Sequence, residues 1–140
     1  MHTKEDADHS LPYLLAVGLL DGDVQPAQLE SGRIAKSDVQ DLLQKVTIRP
    51  NAAFTAHYPA EVMSRVTVRL KNGESFNHDV SSYPGASNRP FTWAEVEAKF
   101  DKLSSSNSTA KSRQAIKNAV RSLENIQTSE LTRALSELNS

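Results

Sequence analysis

From Leu11 to Leu20 the chain carries no charge, and its only hydroxyl is on Tyr13. A run without a polar stripe is predicted to be buried on nearly all sides or to lie in a membrane. As a helix it reaches only ~15 Å, about half a bilayer core, which favours a buried central helix over roughly 10–20. Ser10 is placed to cap its start, Pro12 suits its first turn, and Asp21-Gly22 suits its end.

The polar stretch 1–8 reads as a disordered, solvated arm, with His2 in it. Residues 21–35 read as a loop, in which Pro26 can open a short turn through Leu29. Ser37 and Gln40 have capping-box spacing, and Val39, Leu42, Leu43 and Val46 then share one helical face. Val46-Thr47-Ile48-Arg49 reads as a short strand stopped by Pro50, and 50–60 as a loop.

The strongest strand signal follows. Val62, Val66, Val68 and Leu70 alternate with Met63, Arg65, Thr67, Arg69 and Lys71. Phe76, His78 and Val80 alternate on the returning strand. A two-residue Asn72-Gly73 loop would put the two apolar sets on opposite faces. A three-residue loop, Lys71-Asn72-Gly73, pairs Val68 with Phe76 and Val66 with His78, with Gly73 left-handed in a bulge.

Tyr83–Pro90 is dense in turn residues. Thr92 and Glu95 form a second capping box, opening a helix through Leu103 with Trp93, Val96, Phe100 and Leu103 as its buried stripe. The serine-rich stretch 104–108 reads as a flexible linker. Two helices close the chain, one with Ile116, Ala119, Val120 and Leu123 on a face, the other with Leu131, Ala134, Leu135 and Leu138. The fold class is therefore α+β. A small antiparallel sheet of about three strands is covered by the helices at 10–20, 37–46 and 92–103, and two C-terminal helices follow. The domain plan is an arm (1–8), an α+β domain (9–103), a linker (104–108) and a helical segment (109–140).

Composition narrows the function. With 16 basic and 17 acidic residues the net charge is −1, so nothing points to nucleic acid or an anionic membrane. The absence of cysteine excludes disulfides, a thiol nucleophile and thiolate metal sites. The four histidines lack metal-ligand spacing, so no metal site is expected. There is no Gly-rich phosphate loop and no nucleophile elbow. No secretory signal is visible, which makes the cytoplasm, or a mitochondrial matrix, the expected compartment.

Two stretches carry a resemblance. His9-Ser10-Leu11-Pro12-Tyr13 opens the apolar helix, which ends in Leu19-Leu20-Asp21-Gly22. Arg89-Pro90-Phe91-Thr92-Trp93-Ala94-Glu95-Val96-Glu97-Ala98-Lys99-Phe100 opens the later one, with Val66–Glu74 and Tyr83-Pro84-Gly85 between. Over about 8–138 this order resembles the C-terminal region of the MmgE/PrpD family, which includes 2-methylcitrate dehydratases and cis-aconitate decarboxylases. The resemblance implies a lid-like domain that works against a large helical domain, with the last helices returning to that domain. It also implies a cofactor-free lyase acting on small tri- or dicarboxylic acids. The family's principal acid and base residues lie mostly N-terminal to the matched region, so catalysis by this chain alone is not expected.

Candidate catalytic residues are His9 and Tyr13; candidate substrate-binding residues are Ser10, Arg65, Arg69 and Arg89. Each has a plainer reading. His9 and Ser10 can simply cap the helix entry, and Tyr13 can pack in the core. Arg65 and Arg69, with Lys71, can line a solvated strand face, and Arg89 can solvate a turn. His78 is expected to be partly buried and hydrogen-bonded. Three functions remain open: the C-terminal portion of a lyase, completed by a helical-domain partner; a non-catalytic remnant acting as a self-association or interaction module, with a homo-oligomer expected; and a lone small-acid binder using Arg65, Arg69 and His9.

Overall fold

The computed structural model describes residues 3–137, so the readings placed on His2 and Leu138 lie outside the described residues. The chain divides between Ala56 and His57 into two compact units, a break that falls inside the 9–103 stretch.

The first unit is all helical. It comprises α1 (Lys4–Asp8), α2 (Leu11–Asp21), a 3-10 turn (Pro26–Leu29), α3 (Ser31–Ile34), α4 (Ser37–Leu43) and α5 (Ala52–Thr55). The stretch read as a solvated arm is α1, closed by a Thr3/Asp6 capping box, and its Ala7 is buried. α2 begins as its sequence demands: the Ser10 Oγ accepts the Tyr13 N–H at 3.3 Å, and Pro12 sits in the first turn. Gly22 ends it at φ +75°, a left-handed conformation that costs glycine nothing. The expected turn from Pro26 through Leu29 is present.

α4 starts where the sequence placed it but without the capping box. Lys36 is the N-cap, and the Gln40 amide instead reaches the Ile34 carbonyl at 2.7 Å. The core is Ala7, Tyr13, Ala16, Val17, Ile34 and Val39, with Leu14, Leu29, Leu42 and Leu43 packed against it. Burying a side chain such as Ile34 stabilises by roughly 2 kcal/mol. α2 is not enclosed on all sides: Leu11, Leu19 (54% exposed) and Leu20 face outward. One face is buried and an equally apolar one is left open.

The second unit carries the sheet. β1 (Ser64–Arg69) and β2 (Ser75–Val80) pair antiparallel, with Val66 opposite His78 and Val68 opposite Phe76. This is the register expected for the three-residue loop. The Leu70 N–H donates to the Glu74 carbonyl at 2.8 Å, and Gly73 has φ +92°. Among the described residues the sheet has two strands rather than about three, because Val46–Arg49 pairs with no strand and lies outside any regular element. Nor is the apolar face covered as expected. Val66 and Val68 are half-buried, but Phe76 is 59% exposed and His78 is exposed.

The loop 83–91 closes on itself. The Gly85 N–H donates to the Arg89 carbonyl at 2.8 Å, and Gly85 sits at φ +94°. A Cβ there would come within 2.7 Å of the Phe91 ring, so glycine is required twice over. α6 (Trp93–Ser104) opens with the expected Thr92/Glu95 capping box. Its apolar stripe is not buried: Trp93 (56% exposed), Val96 and Leu103 are exposed and Phe100 is half-buried. The serine-rich stretch is a tight turn, in which the Asn107 N–H donates to the Ser104 carbonyl at 3.1 Å. α7 (Ala110–Arg121) and α8 (Thr128–Ser136) follow and pack on each other. In α7, Ile116 and Ser112 are buried. The result is the expected α+β fold class with C-terminal helices.

Candidate functional site

Every residue singled out in the first unit converges on the junction of α1 and α2. His9 ends α1. Its Nδ1 lies 3.0 Å from the Glu5 carbonyl, an acceptor only, so that nitrogen carries the proton and Nε2 is left as the basic one. The ring is exposed. Ser10 is half-buried, its Oγ engaged by the Tyr13 amide.

Tyr13 is wholly buried. Its hydroxyl donates to the Gln28 carbonyl, which pins the 3-10 turn onto α2. Burial pushes the Tyr13 pKa up, so the phenol stays a neutral donor at physiological pH.

From Gln28 a polar chain runs along the unit. The Gln28 side-chain amide donates to Asp21 at 3.2 Å. Arg33 grips Asp21 with two bonds, Nε at 2.9 Å and Nη2 at 2.8 Å, and reaches Asp38 with Nη1 at 2.8 Å. One guanidinium thus ties the end of α2 to the start of α4. Its hydrogen bonds hold the Asp21 and Asp38 carboxyls below their usual range, while they push Arg33 further up. Bidentate guanidinium–carboxylate bonds are among the strongest ion pairs in geometry and energy. The sequence reading missed this cluster. Arg33 lies in a stretch expected to be a loop, and Asp21 is expected only to end the apolar helix. Partners twelve residues apart leave no local spacing to detect.

In the second unit, Arg65 and Asp79 face each other across the ladder and share two bonds, at 2.6 and 2.5 Å. Arg65 holds the Asp79 carboxyl low. Arg69 lies on the same strand face, exposed and opposite Ser75. Arg89 is exposed in the 83–91 loop. Asp101 on α6 accepts from two α7 cations, Lys117 at 2.8 Å and Arg113 at 3.2 Å, and Lys117 is the main cause of its lowered pKa. Arg121 pairs with Glu97 and lies 5.9 Å from the centre of the Trp93 ring. Ion pairs thus join α6 to α7, and Trp93 of the apolar stripe meets Arg121.

The structure therefore brings Ser10 and Tyr13 into contact, with His9 one residue away, and puts Arg65 and Arg69 on one strand face. Among the described residues no cluster of three or more acidic or histidine side chains can hold a metal. Among them, too, no helix is long and apolar enough to cross a membrane.

The model of the MmgE/PrpD C-terminal domain matches residues 1–125. The chain belongs to the MmgE/PrpD family. The 2-methylcitrate dehydratase of Salmonella typhimurium is 28% identical over 88 residues, 60% of this chain and 18% of that protein. The cis-aconitate decarboxylase of Mus musculus is 23% identical over 98 residues, 70% of this chain and 20% of that protein. The chain spans about a fifth of the length of these curated relatives.

Proposed function

We propose that this chain is the C-terminal portion of an MmgE/PrpD-type lyase for small tri- or dicarboxylic acids, and that turnover requires a helical domain supplied beside it. The observation that carries this reading is the family match over 1–125, together with relatives named for dehydration of 2-methylcitrate and decarboxylation of cis-aconitate. In dehydration a base takes the proton next to a carboxylate and the hydroxyl leaves as water. In decarboxylation the bond to a carboxylate breaks, carbon dioxide leaves, and the carbanion takes up a proton. Both routes need an acid or base and a polar cradle for the developing charge.

Within the second unit, the exposed arginines suit a cradle better than a base. Arg69 and Arg89 are exposed, and guanidinium meets a carboxylate in a fixed fork; Arg89 already acts on the Glu95 carboxylate, whose pKa it helps to lower. His9 offers a basic Nε2 at the helix entry. Tyr13 sets the position of that entry through Gln28, and Ser10 through its cap.

The test is a graft. The chain replaces the matching segment of the Salmonella 2-methylcitrate dehydratase, and product formation is followed by ultraviolet absorbance of the unsaturated acid. Turnover by the graft supports the reading; a folded graft with none overturns it.

A second reading rests on the open apolar side chains. Phe76, Trp93, Leu103 and Leu19 are about half exposed or more, which suits a self-associating module without catalysis. Sedimentation over a range of concentrations separates the two: a stable dimer of a chain whose graft is inert favours the module.

A further inference from the structure

We propose that Asn72 is a site of spontaneous chemical modification, closing onto Gly73 to form a succinimide that hydrolyses to aspartate and isoaspartate. Among the chain's asparagines only Asn72 precedes glycine. The attacking atom is the backbone nitrogen of the following residue, and any side chain on that residue hinders its approach. Here both residues are exposed at the tip of the β1–β2 hairpin. Apart from its two chain neighbours, nothing lies within 4 Å of the point where a Gly73 Cβ would stand, so no other part of the fold crowds the turn.

The turn also prepares the electrophile. The Asn72 Oδ1 accepts the Glu74 backbone N–H at 3.0 Å. A donor on a carbonyl oxygen stabilises the charge that builds there when a nucleophile adds to its carbon. Two contacts oppose the reaction: the Asn72 Nδ2 donates to a Glu74 carboxylate oxygen at 2.6 Å, and the Gly73 N–H donates to the Leu70 carbonyl at 3.1 Å. The second bond closes the exposed end of a two-stranded hairpin, where local opening costs little.

The step balances with water alone. The Gly73 nitrogen loses its proton to water or hydroxide and bonds to the Asn72 Cγ. The Cγ–Nδ2 bond breaks, and Nδ2 takes up a proton and leaves as ammonia. Water then adds to either ring carbonyl, giving aspartate or isoaspartate. The product changes the hairpin. Nδ2 now donates to a Glu74 carboxylate oxygen at 2.6 Å. After conversion two carboxylates face each other there. Isoaspartate also lengthens the main chain of the loop that sets the strand register.

The full chain is incubated at neutral and mildly alkaline pH and mapped by mass spectrometry. Isoaspartate is counted with an isoaspartyl methyltransferase and labelled S-adenosylmethionine. The expected result is conversion concentrated in the peptide holding Asn72, faster at the higher pH, absent in Asn72→Gln and slowed several-fold in Gly73→Ala. Conversion that falls first on Asn107 or another asparagine overturns the proposal. So does conversion of Asn72 that occurs only when urea unfolds the chain.

Discussion

Tyr13 joins the apolar helix to the turn that follows it. Its ring fills the core and its hydroxyl serves the Gln28 carbonyl. Tyr13→Phe keeps the ring and strips that carbonyl of its donor, for an expected loss of about 1 kcal/mol in urea unfolding. Ile34→Ala, which opens a cavity in the same core cluster, is expected to cost about 3 kcal/mol. Gly85→Ala forces a Cβ into the Phe91 ring at a positive φ and is expected to cost about 1–2 kcal/mol, read as a lower thermal midpoint. Residue roles were legible in the sequence where they are local. The cap at Ser10 and the glycine at the end of α2 follow from neighbours in the chain. The hydroxyl of Tyr13 meets a carbonyl fifteen residues on, and the guanidinium of Arg33 meets Asp21 twelve residues back, so no short window contains either pair.

At the scale of elements, one guanidinium holds the helices of the first unit in place. Asp21 and Asp38 titrate below the ordinary value of 3.8 because Arg33 bonds their charged forms. A depressed folded pKa gives stability that is complete above the unfolded value and lost as pH falls through the folded one. The wild type is therefore expected to lose thermal stability as pH drops below about 3.8, and Arg33→Met to show a flatter acid limb. Equal acid limbs in the two proteins would contradict that assignment. Periodicity explains which elements were legible. The hairpin register follows from a side-chain period of two and a loop whose length is set by Gly73. Val46–Arg49 has a strand's composition, but a strand exists only with a partner, and the sequence of one segment does not supply it. The Ser37/Gln40 spacing fits a capping box, yet the Gln40 amide finds the Ile34 carbonyl instead. The short α5 went unread although Asn51 caps it with two bonds, because four residues are too few for a period to show.

The molecule as a whole keeps its apolar surface in the places where the sequence called for burial. The outer side of α2, the stripe of α6 and Phe76 on the hairpin are all exposed, while ion pairs join α6 to α7. A pattern of hydrophobic positions tells which faces want cover, not what covers them. The family resemblance was legible because it rests on short motifs in order, and the candidate arginines were legible only as charges, since their surroundings depend on the fold. The chain spans about a fifth of its curated relatives and leaves such faces open, which supports the proposal that it works against a larger helical partner. The most direct test is turnover by the purified chain with 2-methylcitrate and cis-aconitate, followed by ultraviolet absorbance. No turnover is expected from the chain alone. Sustained turnover, lost on His9→Ala, would contradict it and place the acid or base within these residues.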